Sequence, residues 1–570
     1  MNIEQRLQAI LRDAVATHCG QIADAEERRT QALAILGFLA NSATNESYRN
    51  YVRGELERIA EAGADAVDAL FSTEATDTEA AAWSSNELYH EVAYPSYVHS
   101  QTHPDHLAMM ARVFGLKPAP INKCRVLELG CGTGYGLIAG AIDLPESQFV
   151  GVDFSSRMIE EARKAAAAVG ASNVRFEAAD ILTFEPEGEF DFIVAHGVYS
   201  WVPAAVRERV LQICGQKLSA NGVAYISFNA RPGYHLPAVL RDFALSQKPA
   251  SVDEAYTALE KLDLSGLPDT AAKLLQPCVD HFWSKPSRVQ VMYDEFASIN
   301  EPFLFGEFGE ALVRHGLRYA TEARIEDWTA NTIEPRARQM LNDLAGDPVR
   351  RMQYRDCLRL TRFHASLVCR DTVQATNVPI PDIACTMRVS TRAVALSSEP
   401  DIQGPTKEVF ESPDGVQVAI ADPLLKAALM TLMQQRPRRL LLTKLAIDAC
   451  KLLGVEDRAA EQKLRQWLMP FWEGGFFELH SHMPNCATEL NRKPVASAFA
   501  RYAAADAGDR MVPSLLGCVA ALEDETDRQM LLMLDGTGSQ TKVAEELGLE
   551  PEEVTRRLGQ LLRMGLLEQA

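Results

Sequence analysis

No Cys-x-x-Cys pair occurs anywhere in these 570 residues, and the eleven cysteines are scattered along the chain. Neither a zinc site nor a disulfide framework is therefore expected, and the expected compartment is the reducing cytoplasm. Long apolar runs are missing too. Nothing approaches the ~18 residues of a spanning helix, and the opening MNIEQRLQAILRDA carries acids and no uninterrupted apolar core, so neither a secretion signal nor a membrane span is expected. Positive charge is scarce: 57 Lys and Arg face 77 Asp and Glu, for a formal net charge of −20. Affinity for phosphate backbones comes from Lys and Arg, so a general nucleic-acid binder is disfavoured and basic or neutral partners are favoured. What is plentiful is apolar: 47% hydrophobic and 24% charged residues, over a length that implies more than one domain, describe a chain able to bury large cores.

The organising stretch is Cys124 to Tyr135, CRVLELGCGTGY. Arg125 to Leu129 has the content of a buried parallel strand, and Gly130, Gly132 and Gly134 follow at every second position, supplying positive φ and a backbone that a ligand can approach. The spacing G-x-G-x-G differs from the dinucleotide fingerprint G-x-G-x-x-G, and Glu128 beside the cradle suits a cationic ligand better than a pyrophosphate. Gln148 to Val152 reads as a second strand ending in Asp153, placed to accept both hydroxyls of a ribose. Ser155 to Val169 reads as a helix capped by Ser155 or Ser156, with Met158 on its apolar stripe. Val174 to Ala178 is a third strand, leading to Asp180 and Ile181 within reach of an adenine amino group. Phe190 to Ala195 is a fourth, delivering His196, Tyr199 and Trp201 to the same edge, and Asn221 to Phe228 is a fifth.

Motif, spacing and order over Cys124 to Asn229 resemble the class I S-adenosylmethionine-dependent methyltransferases. Within them the chain resembles the bacterial group that carries a methyltransferase regulatory domain and includes the rickettsial outer-membrane-protein lysine methyltransferases. The blocks that carry this are YPSYVHSQTHPDHL (Tyr94 to Leu107), AHGVYSWVP (Ala195 to Pro203), ISFNARPGY (Ile226 to Tyr234), NEPFLFGEFGEALVRHGLRYATEA (Asn300 to Ala323), KPVASAFARYAA (Lys493 to Ala504) and LDGT (Leu534 to Thr537). The group's usual Tyr-Asn in the fifth-strand motif is Phe228-Asn229 here. The resemblance implies an α/β, Rossmann-like class I methyltransferase sheet with S-adenosyl-L-methionine as cofactor, contacted by Glu128, Gly130, Gly132, Gly134, Asp153, Phe154, Met158, Asp180, Ile181 and His196. No metal is implied.

Around that core the chain divides as follows. Residues 1–83 are a helical N-terminal appendage, read as a packing or dimerisation cap, closed by the acidic linker Ser72 to Ala82. Residues 84–234 are the cofactor-binding core, preceded by an aromatic and histidine-rich strap read as a lid whose Tyr94, Tyr97, Gln101 and Thr102 face the site. Residues 235–299 are a helical regulatory insertion over the carboxyl edge, able to close the acceptor pocket or to pair two copies into a homodimer. Residues 300–330 complete the core, 331–404 are a helix and strand connector, and 405–570 form winged-helix-like α+β modules, including a hairpin at Ser412 to Gly415 and another in WEGGFFEL. Glu552 and Glu553 beside Arg556 and Arg557 make that tail a protein-docking or structural element rather than a DNA reader.

Methyl transfer to an amine needs alignment, exclusion of water and a neutral nucleophile. A lysine of pKa about 10.4 must be deprotonated, which an apolar, aromatic lining favours. Tyr199 and Trp201 are the expected lining, and His196 is expected to orient the cofactor or relay a proton through water. The expected activity is protein-lysine N-methylation of a protein or peptide substrate. Two alternatives stay open: an O-methyltransferase acting on a peptide or small-molecule carboxylate, and a non-catalytic cofactor-binding protein with docking modules.

Overall fold

Short apolar runs alternating with amphipathic helices build five parallel strands between Arg125 and Asn229. In the computed structural model, which describes residues 9–16, 25–42, 46–62, 94, 97–247, 249, 252–285, 288–330, 333–344, 346–506 and 510–568, these are β1 (Arg125–Leu129), β2 (Gln148–Asp153), β3 (Val174–Ala178), β4 (Phe190–Ala195) and β5 (Leu218–Asn229). Two further strands, β6 (Leu317–Glu322) and β7 (Phe363–Arg370), complete one sheet of order β3-β2-β1-β4-β5-β7-β6. β7 runs antiparallel to both β5 and β6. β1 lies between β2 and β4, so connections leave its two sides in opposite directions and open a crevice at the carboxyl ends, where such sheets bind ligands. The helix after β2 starts where expected: the Ser155 hydroxyl accepts the Met158 N–H, and Gly170 ends it in the left-handed conformation.

Several expectations need correction. β7 falls inside residues 331–404, so the presumed connector contributes a central strand of the sheet. In WEGGFFEL the glycines end the helix Ala460–Glu473, and Glu478–His480 pairs with Arg388–Ser390 rather than folding back on itself. The hairpin around Ser412 to Gly415 does form, between Glu408–Glu411 and Gln417–Ile420. In the tail, the strands Met511–Pro513 and Val519–Ala521 form an antiparallel pair ahead of the helices Glu525–Met533, Gln540–Leu547 and Pro551–Arg563, and isolated bridges join Cys486, Val495 and Ala496 to Glu568, Asp535 and Leu567. The C-terminal part of the strap runs into the helix Pro104–Val113, which is buried in the core. The linker Ser72 to Ala82 lies outside the described residues.

The two faces of the sheet meet different partners. Leu127, Leu129, Val152 and Ile193 pack with Phe305 and Phe308 of helix Phe305–Arg314. On the other face Val126, Phe149, Phe192, Val194 and Leu367 belong to a core that continues into Leu425, Leu429, Leu445, Leu468, Phe471 and Leu479. The insertion forms helices His235–Ser246, Val252–Glu260, Asp269–Ser284 and Arg288–Glu295. Its apolar faces are shared with Ile10, Leu11, Leu36, Val52 and Ile59, so the N-terminal appendage packs on the insertion. Asp13 ties the two together through His235 Nε2 at 2.8 Å. No helix among the described residues is long and apolar enough to cross a membrane.

Candidate active site

β1 delivers Glu128 to the crevice and then turns through the three glycines, all at positive φ. A Cβ at Gly130 would stand 2.5 Å from Val198 Cγ2, and one at Gly134 would collide with the Phe176 ring, so these two positions exclude any other residue. Gly130 and Cys131 N–H groups donate to the Val152 carbonyl at 2.8 and 3.0 Å, clamping the turn to β2. Asp153, at the end of β2, accepts from Gly132 N–H at 2.8 Å and Ser155 N–H at 2.9 Å. Each of its oxygens keeps a lone pair for a further donor. Burial raises its carboxyl above the ordinary range, against those backbone donors. Burial also pushes Glu128 up, to about 8, with Asp153 adding to the shift.

These groups line one cavity of about 640 Å³, whose far wall comes from the strap, β4, β5, β7 and the insertion. Tyr94, Tyr97, His99, Thr102, Met158, His196 and Trp201 all line it. Gln101 stands behind the wall, its Nε2 donating to the Tyr225 hydroxyl at 2.9 Å. That hydroxyl and the Ser227 hydroxyl both lie within hydrogen-bond distance of His196 Nδ1, at 3.1 and 3.2 Å. Burial, then the neighbouring His99, push His196 down to about 3, so it is a neutral imidazole and too weak a base to deprotonate an ammonium.

Tyr199 does not face the cavity. It is 4% exposed and packs edge-on against Phe303 and Phe308 beneath the sheet, so it is a core residue and not part of the acceptor lining. The turn Val198 to Trp201 sends successive rings to opposite sides, and only Trp201 reaches the cavity, its Nε1 donating to the Asp294 carbonyl at 3.1 Å. Phe154, Asp180 and Ile181 sit at the ends of β2 and β3 outside the cavity wall, with Asp180 capping its own turn at Leu182 N–H.

Sequence reasoning missed the residues that the insertion and β7 bring in. Tyr293, Asp294 and Glu295 come from helix Arg288–Glu295, and Phe363 from the start of β7. Lys285 Nζ bridges Asp294 Oδ2 at 3.0 Å and Glu295 Oε1 at 2.7 Å. Burial opposes its charge, but Glu295 and Asp294 outweigh that and keep it a firm ammonium. The Tyr94 hydroxyl donates to the other oxygen of Asp294 at 3.2 Å. Only the doublet Asp294-Glu295 after Tyr293 signals any of this locally. Among the described residues no group of three or more His, Cys, Asp or Glu side chains is arranged to hold a metal ion.

A family model described as "Methyltransferase domain" matches residues 121–249, and one described as "Predicted methyltransferase regulatory domain" matches 287–370. The second match begins at the last insertion helix and takes in β6 and β7, so most of the helical insertion precedes it. An uncharacterized protein of Rickettsia prowazekii is 32% identical over 302 residues, 50% of this chain and 53% of that protein. Trans-aconitate 2-methyltransferase of Streptomyces avermitilis is 34% identical over 122 residues, 20% of this chain and 44% of that enzyme. The chain thus spans about half the length of these curated relatives. The structure of PKMT2 from Rickettsia typhi superimposes with a TM-score of 0.75 at 23% identity, over 83% of this chain and 99% of that one; its complex with AdoHcy gives 0.74. The glycine cradle, with no room for a Cβ at two positions, and the two buried carboxylates fit a ligand that carries a ribose and a cationic amino acid end. The chain therefore carries a class I S-adenosylmethionine-dependent methyltransferase domain joined to a methyltransferase regulatory domain.

Proposed function

We propose that the chain is a protein-lysine N-methyltransferase. The observation that carries this reading is the wall opposite the glycine cradle: Tyr94, Tyr97, Trp201, Tyr293 and Phe363 face one cavity with Glu128 and Asp153. When bound, S-adenosylmethionine supplies an electrophilic methyl group on a sulfonium. The aromatic wall accommodates the aliphatic stem of a lysine, excludes water around its nitrogen, and thereby lowers the pKa of the ammonium. The net charge of −20 favours a basic protein acceptor over a nucleic acid, and the likeness to PKMT2 supports the same substrate class. All ten described cysteines are unpaired, which suits the cytoplasm.

The test is incubation with labelled S-adenosylmethionine and basic proteins, followed by mass spectrometry of the modified residue. Methyl-lysine is expected; base-labile methyl esters would sink the reading. Trp201→Ala should lower methyl transfer roughly tenfold or more, about 1.4 kcal/mol in the barrier, while cofactor affinity stays within about twofold of wild type. Residual activity should climb toward alkaline pH as the lysine deprotonates.

Glu128 gives a second prediction. With its carboxyl near 8 it is largely protonated at pH 7, and a cationic ligand beside it favours the carboxylate. Binding of S-adenosylmethionine should therefore expel a proton at pH 7 and tighten as pH rises through about 8. Calorimetry in two buffers of different ionisation enthalpy counts that proton. Glu128→Gln should bind with a smaller proton release, and an identical count in both proteins would remove this role from Glu128.

A further inference from the structure

Asn229 ends β5 and lines the cavity although it is only 4% exposed. The orientation of its side-chain amide follows from a chain of hydrogen bonds that begins at the main chain. The Asp294 carbonyl can only accept, and it accepts from Asn300 Nδ2 at 2.9 Å; the same nitrogen lies 2.6 Å from the Tyr234 hydroxyl. Asn300 therefore turns its Oδ1 toward Asn229, whose Nδ2 donates to it at 2.8 Å. That leaves Asn229 Oδ1 directed away from the relay. It has no donor among the described residues, yet it is not sealed from solvent as an orphaned buried atom would be. The backbone beneath it is fixed on both sides, since Asn229 N–H donates to Ser200 Oγ at 2.8 Å and its carbonyl accepts from Phe303 N–H at 2.9 Å. Trp201 Nε1 uses the same Asp294 carbonyl, so the indole and the Asn229 amide are registered to one atom of the insertion.

We propose that Asn229 is a catalytic residue whose Oδ1 accepts an N–H of the acceptor amine and so turns the nitrogen lone pair toward the cofactor side of the cavity. This rests on the lysine reading above and adds the group that selects for it. An amide oxygen attracts an N–H donor and repels a carboxylate, so it separates amine acceptors from the acids that an O-methyltransferase would take. A hydroxyl could also donate to it, but an alcohol still needs a base, and His196 is too weak. In the transfer, the nitrogen lone pair forms the new N–C bond while the methyl S–C pair departs with sulfur, leaving S-adenosylhomocysteine; the surplus N–H proton passes to water. Asn300 is a positioning residue that acts through the Asn229 amide.

The experiment uses the full chain, labelled S-adenosylmethionine, and poly-L-lysine and poly-L-glutamate as acceptors. Wild type should label poly-L-lysine. Asn229→Ala should lower kcat roughly tenfold to a hundredfold, the loss expected of one hydrogen bond to the reacting group, with S-adenosylhomocysteine affinity within about twofold by calorimetry. Asn229→Asp keeps an acceptor oxygen but adds a charge that raises the pKa of the bound amine, so its kcat–pH profile should shift to higher pH. Poly-L-lysine turnover by Asn229→Ala within about threefold of wild type overturns the assignment while leaving the lysine reading standing. So does loss of cofactor affinity in parallel with activity, or an unshifted profile in Asn229→Asp. Label on poly-L-glutamate, or on neither polymer, overturns the lysine reading and this assignment together.

Discussion

Removal of residues 406–570 is expected to leave a chain that does not fold, rather than a free-standing cofactor-binding core. The helix Pro104–Val113, β1 and β4 share one apolar cluster with Leu425, Leu429, Leu445, Leu468, Phe471 and Leu479, and the Tyr135 ring, at the end of the glycine turn, packs 4.9 Å from Phe499. Each such side chain left exposed forfeits about 1.5–3 kcal/mol, so a few of them match the ~5–15 kcal/mol of a typical domain. The polar part of the contact is as demanding. Asp105 is buried, its Oδ2 pairing with Arg439 Nη1 at 2.8 Å and its Oδ1 accepting from Ser481 N–H and Oγ. Asp143 beside it receives His482 at 3.2 Å. Truncation takes all these partners and leaves Asp143 facing only His103, at 3.6 Å. Arg439→Ala isolates the effect: stranding Asp105 should cost about 3–5 kcal/mol, read as a lower midpoint in urea. A truncated chain that binds S-adenosylmethionine with wild-type affinity would refute this and restore the tail as an independent module.

That outcome bears on what the sequence could disclose. β1 to β4 and the glycine turn were legible because each strand is a short run rich in apolar and β-branched residues bounded by turn residues, and because Glu128, Asp153 and the glycines lie within one short stretch of chain. β7 was not, although FHASLVCR is equally apolar. It follows the helix Pro348–Arg359 without a flanking glycine, and it enters the sheet between β5 and β6 out of chain order. Trp201 and Tyr199 sit in one turn, and no periodicity tells which ring enters the cavity. The acceptor side was the least legible part, because Asp294, Asn300 and Phe363 meet Asn229 and Trp201 only through the tertiary fold. The tail was read as separate for the same reason: the Asp105–Arg439 pair joins residues 334 positions apart.

His364→Ala should destabilise the protein by about 3–5 kcal/mol at pH 6.5. His364 follows Phe363 on β7 and is almost wholly buried between two carboxylates, with Nδ1 3.1 Å from Glu322 Oε2 on β6 and Nε2 3.0 Å from Asp356 Oδ2 on helix Pro348–Arg359. Glu322 is further held by Ser366 Oγ at 2.7 Å and Ala365 N–H at 3.2 Å. Burial alone would lower the imidazole pKa, but Asp356 and Glu322 reverse that and raise it to about 10. The group is therefore a cation shared by two buried anions, and deleting it leaves both without a counter-charge. The sign of the pH dependence follows from that shift. A histidine raised from 6.5 to about 10 on folding contributes fully below pH 6.5, and the contribution is lost as pH climbs through about 10. Wild type should accordingly lose stability between those values. Replacing His364, Glu322 and Asp356 together by leucine should cost less than His364→Ala alone, because no charge is then stranded. Urea titrations at pH 6.5 decide the matter: a His364→Ala midpoint within about 1 kcal/mol of wild type would mean that the two carboxylates reach water or protons by another route, and that this cluster does not pin β6 and β7 at the edge that presents Phe363 to the cavity.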